Sequence, residues 1–123
     1  MHSEALQQQG ALEAAVRKAV CQFQLEFMAG SFAERIRVLV ASDMIIVRSQ
    51  GVLPAAEQHL ARTEEGQALV KQLYRTLFAQ QRRILVNQVA AITGMVVTDV
   101  LTDFAVSTGE QVMAFLFTSH DED

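Results

Sequence analysis

In 123 residues the sequence has no tryptophan, one cysteine (Cys21), one proline (Pro54) and three histidines. A single cysteine excludes an intramolecular disulfide framework. With His2, His59 and His120 at unrelated spacings, it also leaves no cysteine–histidine zinc site. Cys21 stands beside Val20 in a helical pattern and reads as a small apolar residue rather than a reactive thiol. The six glycines are scattered, and none forms a phosphate-cradling loop between a strand and a helix. Excess positive charge is also missing: the net charge is −4, which argues against nucleic acid as a partner. The one basic cluster, Arg75, Arg82 and Arg83, reads as a solvated helix face. No apolar run approaches the roughly 20 residues needed to span a bilayer. Residues 1–10 lack the basic and apolar regions of a signal peptide. The expectation is a cytoplasmic protein with no direct membrane insertion.

Half of the residues are apolar and a fifth are charged, a composition that folds. The expected organisation is a flexible N-terminus (1–10), one domain (11–118) and an acidic tail (119–123). From 11 to 28, Leu12, Val16, Ala19, Val20, Phe23 and Phe27 recur at spacings of three and four and predict a helix, which Gly30 and Ser31 stop. The period then changes. Ile36, Val38 and Val40 alternate with Arg35, Arg37 and Leu39, a strand with one buried and one partly charged face. Ser42 and Asp43 supply a turn into a second β-branched run from Met44, and Gly51 ends the hairpin.

Residues 54–93 are helical throughout. Pro54 suits a first turn, where its missing N–H would be unpaired anyway. Thr63 followed by Glu64 and Glu65 looks like a fresh helix start, so the stretch divides into helices of 54–62 and 64–93. The longer one carries an apolar stripe of Val70, Leu73, Leu77, Ile84, Leu85, Val89 and Ile92, and Gly94 stops it. Two further strands, 95–104 and 110–118, are joined by Ser107-Thr108-Gly109. The fold class is therefore α+β, in two layers. The order helix, hairpin, helices, hairpin builds a four-stranded, mostly antiparallel sheet with helices on one face. In the last strand Met113, Phe115 and Phe117 alternate with Val112, Ala114 and Leu116, so it is apolar on both sides. Something must cover each face of such a strand. With helices on one side only, a second subunit is the natural cover, and a homodimer is expected.

Candidate chemistry is sparse. Asp99 and Asp103, four apart in a strand, share a face with Val97 and Leu101. They read either as a carboxylate pair for acid–base or cation chemistry, or as edge charges that block aggregation. Arg35, Arg37 and Arg48 can make bidentate contacts to a small anion. Ser42, Thr63, Ser107 and Thr108 have no His or Lys at a spacing that suggests a nucleophile system. No catalytic residue, metal or cofactor is expected.

Several short pieces together resemble the MpsC-like domain family. They are Asp43-Met44-Ile45-Ile46-Val47-Arg48, Gly51-Val52-Leu53, Glu57 with Leu60, and Thr63-Glu64-Glu65-Gly66. Ile92-Thr93-Gly94 followed by a strand with Asp99 or Asp103, and then Thr108-Gly109-Glu110, continue the likeness over about residues 12–118. Asp43, Gly51, Glu57, Thr63 and Gly66 form a fold-setting motif, in which Asp43, Gly51, Thr63 and Gly66 are turn and cap formers that set the hairpin-to-helix geometry. Two departures stand out. Residues 29–34 (Ala-Gly-Ser-Phe-Ala-Glu) replace a Gly-Lys-Gly-Pro-like turn, and Pro54 replaces a threonine. The resemblance implies a soluble accessory part of a membrane-potential-generating, cation- or bicarbonate-transporting system. The expected function is thus a non-enzymatic accessory or regulatory module working through protein contacts, with a partner in the transport system. The alternative is a small-anion or small-ligand sensor.

Overall fold

The computed structural model describes residues 2–28 and 32–118. In chain order the elements are α1 (His2–Phe27), β1 (Phe32–Val40), β2 (Met44–Val52), α2 (Ala55–Leu60), α3 (Glu64–Thr93), β3 (Val97–Ala105) and β4 (Glu110–Phe117). The strands form one antiparallel sheet in the order β1-β2-β4-β3, so the two hairpins join through β2 and β4. This is an α+β fold.

Local chemistry explains the boundaries. Helix α1 starts at His2, well before the apolar stripe begins, because Glu4, Ala5, Leu6 and Gln7 to Gln9 are all good helix formers. The Gly30–Ser31 stop and the altered turn at 29–34 fall on residues 29–31 and on side chains outside those described. The acidic tail 119–123 lies outside them too. Thr63 caps α3 as expected: its Oγ1 accepts the Gly66 N–H at 2.9 Å. At the other end Gly94 adopts φ 71°, a left-handed conformation that glycine enters without a Cβ penalty, and its N–H closes on the Ala90 carbonyl.

Helices α1 and α3 lie on the same face of the sheet and share one core with it. Val16, Val20 and Phe23 from α1 meet Val70, Phe78, Leu85 and Val89 from α3 over Ile45, Val47, Met113 and Phe115 from the central strands. Phe23 sits edge-on to Phe78 with ring centroids 5.7 Å apart, which fixes the crossing of the two helices. The buried stripe of α3 differs from the expected one. Tyr74 and Phe78 are inside, whereas Leu73 and Ile84 remain 42% and 38% exposed. A bulge between Val97 and Asp99 changes β3 as well. Val97 pairs with buried Phe117 and packs against the core, so it leaves the face that Asp99, Leu101 and Asp103 share.

Candidate functional site

No described helix covers the second face of the sheet, and the strand register arranges that face in rows. Leu39, Ile46, Ala114 and Leu101 lie side by side across all four strands. Leu39 and Leu101, at the two ends of this row, are 60% and 55% exposed. Met44, Leu116 and Asp99 form the next row toward the β1–β2 turn, and Arg37, Arg48, Val112 and Asp103 the next row away from it. Arg35, Gln50, Glu110 and Ala105 complete the set. An apolar half thus adjoins a charged half. Monomers rarely leave such a contiguous patch facing water without a use for it.

All three arginines singled out from the sequence stand on this face, but their surroundings differ. Arg48 is held by Glu110 at 2.8 Å across the β2–β4 seam. Arg35 and Arg37 on the edge strand make no ion pair among the described residues.

Asp99 and Asp103 do not form a carboxylate pair in the catalytic sense. Four residues apart in an extended strand, they are separated by about 13 Å. Each instead bends over the outer edge of β3. The Asp99 Oδ1 accepts the Val100 N–H at 2.8 Å and lies 3.1 Å from Arg82 on α3. In the same way the Asp103 Oδ1 accepts the Phe104 N–H at 2.9 Å and meets Lys71 at 3.2 Å and Arg75 at 3.4 Å. These partners hold both carboxyls below the usual aspartate range. For Asp99 the hydrogen bond from Arg82 is the larger cause, and for Asp103 the Phe104 N–H comes first and Lys71 second. The arginines of the α3 cluster are therefore divided: Arg75 and Arg82 fasten the helix to the edge strand, while Arg83 faces solvent. Among the described residues, no three His, Cys, Asp or Glu side chains converge on a metal-sized site.

The segment from Asp43 to Gly66 supplies geometry. The Asp43 carbonyl accepts the Phe117 N–H at 3.0 Å and ties the first hairpin turn to the end of β4. At the opposite end of the sheet, the Gly51 N–H reaches the Gly109 carbonyl at 3.1 Å. Gly109 has φ 70°, and a Cβ there would stand 2.6 Å from the Gly51 carbonyl oxygen, so only glycine fits. Gly66 is buried against the last turn of α2, where a Cβ would collide with the Leu60 carbonyl. Glu57 occupies the first turn of α2, close enough to help push the Tyr74 phenol up to about 12, although burial of the ring is the larger cause. These approaches leave an open cleft of about 330 Å³ lined by Gly51, Leu53, Arg62, Ser107 and Thr108, among others.

The family model described as "Na+-translocating membrane potential-generating system (MpsC)" matches residues 8–119. The chain belongs to the MpsC family. It is also similar to the uncharacterized protein YbcI of Bacillus subtilis (strain 168), with 30% identity over 106 residues that cover 86% of this chain and 85% of that relative. No solved structure matches the chain significantly. The MpsC match takes in every strand, α3 and α1 from residue 8 onward, so the open face and the glycine contacts all lie within the family region.

This MpsC-family chain also carries a buried polar chain that the sequence reading missed. Gln24 of α1 donates to Ser49 Oγ at 3.0 Å and to Gln111 Oε1 at 3.4 Å, and Gln111 in turn donates to Thr102 Oγ1 at 3.0 Å. Gln24, Ser49 and Gln111 are each at least nine-tenths buried. Their positions were legible in principle: Gln24 follows Val20 by four on the α1 stripe, and Ser49 and Gln111 continue the inward alternation of β2 and β4. Polar residue type masked what the periodicity implied.

Proposed function

We propose that the protein is a non-enzymatic accessory module of a Na+-translocating, membrane-potential-generating system, acting through protein–protein contacts made by the open face of its sheet. The observation that carries this reading is the uncovered apolar row Leu39, Ile46, Ala114 and Leu101. The description of the MpsC family supports the biological setting. Helix α3 packs behind the sheet, and the Asp99 and Asp103 ion pairs join it to the β3 edge of the face. No helix among the described residues is long and apolar enough to cross a membrane, which suits a part that docks onto a translocating assembly. Of the three arginines of the anion-sensing alternative, Arg48 is engaged by Glu110, which leaves Arg35 and Arg37 to carry it.

The test is co-purification with the subunits of the translocating system from the membranes of the source cell. Wild-type protein is expected to recover them and Leu101→Lys to lose them, with both proteins equally folded by circular dichroism. Equal recovery by the two would sink the reading. A melting temperature raised by bicarbonate or another small anion, with no such recovery, would favour the sensor instead.

A further inference from the structure

We infer that the open face is covered by the same face of a second copy of this chain, with the twofold axis parallel to the strands. In that arrangement β1 lies over the partner's β3, and β2 over the partner's β4. The inference rests on reading the face as a protein-contact surface and names a second copy as its occupant. The dimer then meets the translocating subunits as one unit, and Leu101→Lys loses them by separating the two copies.

Three observations favour a second copy in this orientation. The first is the division of charge. On the charged half of the face the cations Arg35, Arg37 and Arg48 stand on β1 and β2, whereas the carboxylates Glu110 and Asp103 stand on β4 and β3. Rotation about an axis along the strands exchanges the two sides without shifting the rows. Arg37 then meets the partner's Asp103, and Arg35 falls beside the partner's Glu110. Asp103 is suited to a further donor: its existing contacts all use Oδ1, and its side chain is 67% exposed. An axis across the strands would instead stack β1 on β1 and reverse the rows, setting the charged half of each face against the apolar half of the other.

The second observation is the match of the apolar rows. The same rotation sets Leu39 against the partner's Leu101 and Ile46 against the partner's Ala114, so the two most exposed leucines of the face bury each other. Aligned packing of two such faces is the ordinary geometry of a β-sandwich.

The third is area. Four strands about 4.8 Å apart and about eight residues long present roughly 500 Å² in projection. Corrugated by side chains, this approaches the ~800 Å² per partner that a standard interface buries. The edges offer less. The outward amides of Val100 and Phe104 on β3 are taken by Asp99 and Asp103, and Arg17 Nε donates to the outward Ile36 carbonyl of β1 at 3.2 Å.

Size-exclusion chromatography with light scattering on the purified full chain gives the test. Wild-type protein is expected to be a dimer at micromolar concentration. Leu39→Glu and Leu101→Lys alone should each weaken dimerisation by about tenfold or more, since the twofold buries each new charge twice without a counter-charge. Leu101→Gln is expected to weaken it less, in the same direction. The decisive sample is a mixture of the Leu39→Glu and Leu101→Lys chains. At one contact of the mixed dimer the introduced carboxylate of one chain faces the introduced ammonium of the other. At the second contact leucine still meets leucine, so the mixed dimer should form at near wild-type affinity. A monomeric wild-type chain would overturn the inference, and so would a dimer indifferent to both substitutions. Two monomeric variants that fail to pair on mixing would overturn the orientation. A monomeric chain whose Leu101→Lys variant still loses the translocating subunits removes the second copy and leaves the proposed function standing.

Discussion

Gly66 shows how much a single residue can carry in this fold. In an exposed helix, replacing glycine with alanine normally stabilises by about 1 kcal/mol. Here the sign should reverse, because the Leu60 carbonyl occupies the space a methyl group needs. Gly66→Ala is expected to destabilise by about 1–3 kcal/mol as the α2–α3 junction is forced apart, measured by urea unfolding; a more stable variant would refute the packing argument. Tyr74 makes a second case. Its hydroxyl is buried with no partner among the described residues, and burial with the nearby Glu57 charge raises its pKa to about 12. A raised folded value means that the contribution is complete below the unfolded pKa of about 10 and is lost as the pH climbs toward 12. Tyr74→Phe should therefore be neutral or mildly stabilising at pH 7 and should flatten the alkaline fall in melting temperature. An unchanged alkaline limb would remove Tyr74 as its source. Thr63 as a cap was legible in the sequence because capping is local chemistry. The collision at Gly66 was not, since it depends on where α2 ends relative to α3.

At the scale of elements, β3 is an edge strand protected by its own side chains. Asp99 and Asp103 each combine an edge amide with a cation from α3, so one carboxylate both blocks pairing and anchors the helix. Their folded pKa values are lowered, so this contribution is complete above the unfolded value of about 3.9 and drains away as the pH falls below it. The double variant Asp99→Asn, Asp103→Asn should lose the acid-dependent part of the melting-temperature profile below about pH 4 while remaining unaggregated, because the amide oxygen still accepts the edge N–H. The double alanine variant should aggregate on standing, read by light scattering. Identical behaviour of the two variants would separate edge protection from these carboxylates. The alternation of β1, β2 and β4 was visible in sequence, and so was the reading of the aspartates as edge charges. The β3 bulge was not visible, and it moved Val97 to the core side. Nor did the α3 stripe emerge correctly, because Tyr74 and Phe78 follow spacings of four that the leucines at 73 and 77 obscured.

For the whole molecule, the layered α+β arrangement followed from the succession of periods. The two-sided apolar character of β4 pointed to a face in need of cover. The strand order β1-β2-β4-β3 was out of reach. Two hairpins can join by any pair of edges, and contacts such as the inward Ser49–Gln111 pair and the Gly51–Gly109 backbone bond belong to the observed one. Both span more than fifty residues, beyond the range of any local pattern.

The seam between β2 and β4 has a kinetic consequence. Each hairpin closes through a short turn, and α3 winds up from contacts within one turn, so both halves of the sheet can form before they meet. Closing the seam brings Ile45 to Phe115, and it carries the loop entropy of everything between them. Trimming a hairpin contact, as in Val38→Ala, is therefore expected to slow folding. Trimming the seam with Phe115→Leu should instead speed unfolding and leave the folding rate nearly unchanged. Stopped-flow chevrons would show the reverse pattern if the two hairpins zipped together first and acquired their turns afterwards.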